Sequence, residues 1–115
     1  MANERSARRG GARRSDRAEK RGLFIVLEGL DGAGTTTQAQ ALVRLLRERG
    51  ERAHFTAEPS SGPVGSQIRM MLAGRLVGYR GGAWDRRSLA LLFAADRLDH
   101  VAADIGPRIE SGMHV

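Results

Sequence analysis

Apolar residues along the chain fall into short runs of two kinds. Leu23-Phe24-Ile25-Val26-Leu27 is a continuous apolar run of the sort found in a parallel strand buried on both faces. A glycine-rich stretch, 28–34, separates it from Ala39, Leu42, Val43 and Leu46, which recur at i, i+3, i+4 and i+7 with Arg44, Arg47, Glu48 and Arg49 largely opposite. That spacing predicts an amphipathic helix, ended by Gly50. Arg52-Ala53-His54-Phe55-Thr56 reads as a second strand, followed by a Pro-, Ser- and Gly-rich loop from Glu58 to Gly65. Val64, Ile68, Met71 and Leu72 return to helical spacing, with Ala73-Gly74 as the stop. Four glycines in 74–83 predict a mobile surface loop. Asp85 is placed to cap a longer helix from Arg86 to about Ala103, burying Leu89, Leu92, Phe93 and Val101. Gly106-Pro107 restarts a short helix that runs to Gly112, and Met113-His114-Val115 opens another strand. The order β-α-β-α-α-β belongs to an α/β fold, a parallel sheet with flanking helices. Only two strands and the start of a third are present, so the expected sheet is incomplete, truncated at the start of its third strand with its edges uncovered.

The stretch between the first strand and the first helix carries the chemistry. A phosphate-binding loop follows a strand, reads G-x-x-x-x-G-K-[ST] and opens a helix, because its glycines let successive N–H groups turn inward around phosphate oxygens. Gly29, Gly34 and Thr36 fit, while Thr35 stands where the lysine is expected. The candidate nucleotide-binding residues are therefore Gly29, Leu30, Asp31, Gly32, Ala33, Gly34, Thr35 and Thr36. Threonine in place of lysine removes the point charge that reaches the outer phosphates, so binding and turnover are separate questions. A glycine-rich turn without a ligand is one alternative. A dinucleotide fold is the other, although Gly32 and Gly34 do not give G-x-G-x-x-G.

Composition changes this picture only at the N-terminus. The 115 residues carry a formal charge of +6, and residues 1–21 hold eight basic against three acidic groups, so five of the six excess charges sit there. This leader has no periodic apolar face with which to offset its ordering entropy, and a disordered basic tail over 1–21 is expected. Its weak alternative is a nonspecific nucleic-acid or membrane-surface contact. Absence of cysteine excludes disulfides and cysteine-ligated metals. No stretch approaches the roughly 20 apolar residues of a membrane span, which makes a cytoplasmic location the expectation and a membrane partner unexpected.

Four blocks carry a family resemblance: Glu28-Gly29-Leu30-Asp31-Gly32-Ala33-Gly34; Glu58-Pro59; Gly65 to Leu72 with Arg69; and Leu91-Leu92-Phe93-Ala94-Ala95-Asp96-Arg97 with His100. Together they resemble the N-terminal half of thymidylate kinase, over about residues 22–115. The resemblance implies a P-loop nucleoside monophosphate kinase fold and phosphoryl transfer from ATP to dTMP, giving dTDP and ADP. It implies that Phe93 stacks on the thymine ring and Arg97 bonds its carbonyl edge. Arg69 would contact the dTMP phosphate, Glu58 would close the deoxyribose side, and Asp31 would act near the acceptor and the metal. Asp31 and Arg69 are thus the catalytic candidates, with Glu58, Arg69, Phe93 and Arg97 binding the acceptor. Thr36 would supply a hydroxyl to Mg²⁺ bound with ATP. A homodimer is the family's common assembly. The departures are Thr35, with Lys20 the chain's only lysine, and Ala57 where the family has arginine. They leave open a noncatalytic or decayed nucleotide-binding fragment as the alternative.

Overall fold

The computed structural model describes residues 20–115, so all but the end of the basic leader expected at 1–21 lies outside the described residues. Four α-helices shape the described part: α1 (Thr35–Glu48), α2 (Pro63–Leu72), α3 (Arg86–His100) and α4 (Gly106–Glu110). Their ends follow from local chemistry. α1 starts from Gly34 at φ 81°, ψ 17°, a left-handed conformation that costs an L-residue about 1–2 kcal/mol. It stops at Gly50, again at φ 81°. α2 opens on Pro63, whose fixed φ suits a first helical position, and gives way to Gly74 at φ 68°. Asp85 caps α3 as expected, its carboxylate accepting from the Arg87 N–H at 2.9 Å and the Ser88 N–H at 3.2 Å.

Three expectations need correction. The long helix does not run smoothly to Ala103: a π-turn, Val101–Ile105, joins α3 directly to α4, which ends at Glu110. The extra residue in that turn rotates the buried face. Ile105 becomes 4% exposed while Val101, expected in the core, is 43% exposed; Leu89, Leu92 and Phe93 are only half-buried. The 74–83 segment is not a bare loop. It holds a 3-10 turn, Tyr79–Gly81, closed by the Gly78 N–H on the Gly82 carbonyl at 2.8 Å, and the Trp84 indole donates to the Leu76 carbonyl at 2.8 Å.

The third correction concerns the sheet. No regular strand forms among the described residues; there is one isolated parallel bridge, between Ala53 and His114. Hydrogen bonds nevertheless arrange three segments side by side. The His114 N–H donates to the Arg52 carbonyl and the His54 N–H to the His114 carbonyl, both at 2.8 Å. On the other flank the Val115 N–H donates to Leu23 at 2.9 Å and the Ile25 N–H to Val115 at 2.8 Å. The last residues of the chain therefore lie between 23–25 and 52–54. Gly22 permits this approach, since a Cβ there would fall 1.8 Å from the Met113 carbonyl oxygen. Expected to be covered on both faces, Leu23, Phe24 and Val26 are instead 61%, 54% and 59% exposed, because one short neighbour on one side covers little of them. Among the described residues the buried apolar core is only Ala53, Ile68 and Ile105.

Candidate functional site

Polar residues share the buried centre of the described residues with apolar ones. Asp96 on α3 is 1% exposed, and its carboxylate accepts from the Ser60 N–H at 2.7 Å and the Ser60 hydroxyl at 2.5 Å. Burial raises its pKa, but the two Ser60 donors, the nearby His100 and the Gly65 N–H outweigh that and leave it below the ordinary carboxylate value. Gly65 is needed where α2 meets this turn, because a Cβ would fall 2.2 Å from the Ser60 carbonyl oxygen. The result is a fixed turn at 58–60 with α2 packed against α3.

That turn carries Glu58, and the next residue of α3 meets it. Arg97 donates from Nε at 2.9 Å and from Nη2 at 2.7 Å, both to Glu58 Oε2. This pairing raises the Arg97 pKa further above its already basic value. Arg69, from α2, donates to the Pro59 carbonyl in the same turn. His100 is 6% exposed; its Nδ1 lies 3.5 Å from Glu58 Oε1 and its Nε2 2.7 Å from the Thr56 hydroxyl. Asp104 continues the network toward His54 at 3.4 Å and Arg108 at 2.5 Å. Burial works against the Asp104 charge, yet the Arg108 hydrogen bond and charge prevail and lower its pKa.

The 28–34 loop is built differently. It turns through Gly32 and Gly34, both at φ 81°, with the Ala33 N–H on the Leu30 carbonyl at 3.0 Å. A Cβ at Gly29 would lie 2.9 Å from the Thr35 methyl, so a larger residue there would require that side chain to shift. The loop ends at the N-terminus of α1, whose first-turn N–H groups have no intrahelical acceptors and present the positive end of the helix dipole. Thr36 stands in the first turn of α1, two residues after the N-cap Gly34. The fit to Mg²⁺ is chemical: one neutral oxygen suits an ion held chiefly by phosphates and water. Among the described residues no group of three His, Asp or Glu side chains gathers to hold a metal by itself.

A cleft of about 640 Å³ joins the two parts; much of its wall is apolar, from Phe24–Leu27, Leu42, Leu46 and Ile105, and Glu28, Thr35 and Thr36 line it together with Glu58, Arg97 and His100. It places the N-terminal end of α1 across from a carboxylate-arginine pair. Residues 27–115 match the protein family described as Thymidylate kinase. The chain belongs to the thymidylate kinase family. It is 46% identical over 93 residues to a thymidylate kinase of Bifidobacterium longum (strain DJO10A), covering 79% of this chain and 44% of that protein. A probable thymidylate kinase of Thermococcus kodakarensis is 46% identical over 92 residues, 78% of this chain and 45% of that protein. One from Rhizorhabdus wittichii is 46% identical over 96 residues, 82% and 43% of the two chains. The chain thus spans less than half the length of these curated relatives.

The structure brings Glu58, Arg69 and Arg97 to one turn; of the predicted phosphate loop only Thr35 and Thr36, at the start of α1, line the cleft, and Gly29 to Gly34 do not. Phe93 lies one turn before Arg97 on α3, half-buried, and does not line that cleft. Asp31 and Leu30 are exposed on the loop, and Asp31 makes no side-chain hydrogen bond among the described residues. Sequence reasoning assigned no role to Asp96, His100, Ser60 or Thr56. One signal was there: Leu92, Phe93, Asp96 and His100 share a helix face, so two ionisable residues fall on a stripe that otherwise reads as apolar. No helix among the described residues is long and apolar enough to cross a membrane.

Proposed function

We propose that this chain supplies the donor-phosphate loop and much of the acceptor site of a dTMP kinase, which moves the γ-phosphoryl group of ATP to dTMP and releases ADP. The observation that carries this reading is the facing of two sites across one cleft: the α1 N-terminus with Thr35 and Thr36, and the Glu58-Arg97 pair with Arg69 at the same turn. In-line phosphoryl transfer requires little covalent chemistry from a protein. It requires two nucleotides held in line and cations against the charge on the transferring group.

The roles follow from position. Backbone N–H groups of 29–36 cradle the ATP phosphates, and the Thr36 hydroxyl is the protein's oxygen for Mg²⁺, whose charge offsets that of the phosphates when bound. Arg69 meets the dTMP phosphate. Arg97, with Nε and Nη2 taken by Glu58, offers its remaining nitrogen to the pyrimidine edge, and Phe93 packs beside it. Asp31 stands at the loop's exposed crest, where the two nucleotides meet.

One observation favours a second reading, a nucleotide-binding protein without turnover: Thr35 turns its methyl onto Gly29 and brings no charge to the phosphates. The two readings separate in one assay, dTMP-dependent ADP release by the complete gene product that carries these residues. The kinase reading expects turnover with dTMP well above that with dCMP or dAMP. Nucleotide binding with no acceptor-dependent ADP release supports the second and overturns the first. With 23–27 so exposed, residues 1–115 by themselves are expected to show no turnover.

A further inference from the structure

His100 occupies a place that neither phosphoryl transfer nor base recognition accounts for. It is one of the few buried side chains among the described residues, it is polar, and it touches Glu58 on the oxygen that Arg97 leaves unused. We infer that His100 is a positioning residue for the acceptor nucleotide: by occupying Glu58 Oε1 it commits Oε2 to Arg97 and so fixes the direction in which the free end of the guanidinium points.

The geometry sets the roles of the atoms. Glu58 as a carboxylate only accepts, so the His100 Nδ1 at 3.5 Å carries the hydrogen. On the other side of the ring, Nε2 lies 2.7 Å from the Thr56 hydroxyl, a contact that keeps the ring from rotating. Asp104 Oδ2 stands 3.8 Å from the same Nε2, and the other oxygen of that carboxylate, Oδ1, accepts from Arg108. The ring is therefore held from two sides and presents one donor to one carboxylate oxygen. Arg97 has no such enclosure, its side chain being 63% exposed, and its only hydrogen-bond partner among the described residues is Glu58. A guanidinium of that kind keeps its direction only if its carboxylate does. Without the His100 donor, Glu58 is free to turn about its terminal torsion, and both of its oxygens compete for Arg97.

This inference rests on the assignment of Arg97 to the acceptor nucleotide, and the test separates the two. Steady-state kinetics of the complete gene product compare His100→Phe, which keeps an aromatic ring but no donor, with His100→Asn, whose amide nitrogen falls near Nδ1. In His100→Phe the KM for dTMP rises about tenfold, the effect of one lost hydrogen bond to a charged group, while kcat and the KM for ATP stay within about twofold. His100→Asn recovers most of the loss. In a Glu58→Gln background the Phe substitution adds little, because the effect passes through Glu58. Should His100→Phe fail to fold, His100→Gln replaces it, since its amide reaches toward Thr56 and not Glu58. Equal losses in the Asn and Gln variants, or a fall in kcat with KM for dTMP unchanged, would overturn the proposal. If Arg97→Ala leaves the KM for dTMP unmoved, the acceptor assignment itself is wrong. If Arg97→Ala raises it and His100→Phe does not, only the positioning role fails.

Discussion

The loop at 28–34 and the turn at 58–62 both lead into a helix through glycine, yet they are held in opposite ways. The first is shaped by backbone alone: left-handed Gly32 and Gly34, one turn hydrogen bond, and side chains that stand in solvent. The second is gripped by side chains of α3, with Asp96 on Ser60, Arg97 on Glu58 and His100 between Glu58 and Thr56. The difference matches the ligands each is proposed to meet. A polyphosphate needs a ring of N–H groups and little shape, whereas a pyrimidine edge needs a donor at one angle. The backbone loop is therefore the more sensitive to a change of φ at Gly32 or Gly34, and the turn to loss of the side chains that grip it.

The comparison is sharpened first at Thr35. If the loop binds through its backbone, Thr35→Lys should raise kcat by about a hundred- to a thousandfold, the worth of one well-placed electrostatic donor, and leave the KM for ATP within a few-fold. An unchanged kcat in the complete gene product would show that another cation already serves the transferring group.

On the other side of the cleft the expected effect is on folding. Asp96→Ala removes the acceptor for two buried donors of Ser60 and should lower stability by about 2–3 kcal/mol, read from the midpoint of urea denaturation. A loss as small as that of an exposed carboxylate would mean that the turn is held by something else. Gly34→Ala should cost about 1–2 kcal/mol through its left-handed φ alone, although no atom lies within 4 Å of the added Cβ. It should weaken ATP binding along with stability, since the same backbone does both.

The smallest effect is the pH dependence of the gripped turn. Asp96 is held below the ordinary carboxylate value in the folded chain. Its contribution is therefore complete above that ordinary value, about pH 4, and is lost as pH falls through the lowered one. Thermal melts from pH 6 to pH 3 should drop more steeply for the native chain than for Asp96→Asn. Parallel curves would break the link between this carboxylate and the fold.

What could be read without coordinates divides along the same line. The caps at Asp85, Gly50 and Gly74 and the glycine loop were legible because φ preference and capping are local properties of one or two residues. The loop's family identity was legible for the same reason. Burial was not: 23–27 has the composition of a covered strand, but coverage depends on neighbours far along the chain, and here only 113–115 reaches it. The π-turn at 101–105 shifts the helical phase by one residue, which no 3.6-residue count reveals, so Val101, expected in the core, turns outward and Ile105 is buried. Glu58 and Arg97 were each foreseen as acceptor residues through resemblance, and their ion pair at 2.7 Å joins residues 39 positions apart. Asp96 and His100 carry the turn unseen because their partners, Ser60 and Thr56, say nothing of it in sequence.

The central claim is that the Glu58-Arg97 pair reads the acceptor's base. It is tested most directly by kcat/KM for dTMP and for dCMP in the complete gene product carrying Arg97→Ala. The exocyclic group at that ring edge is an acceptor in thymine and a donor in cytosine, so a fixed cation favours the first. The account predicts that the dTMP-to-dCMP ratio falls by about tenfold or more when the guanidinium is removed. An Arg97→Ala enzyme with the native ratio would contradict it.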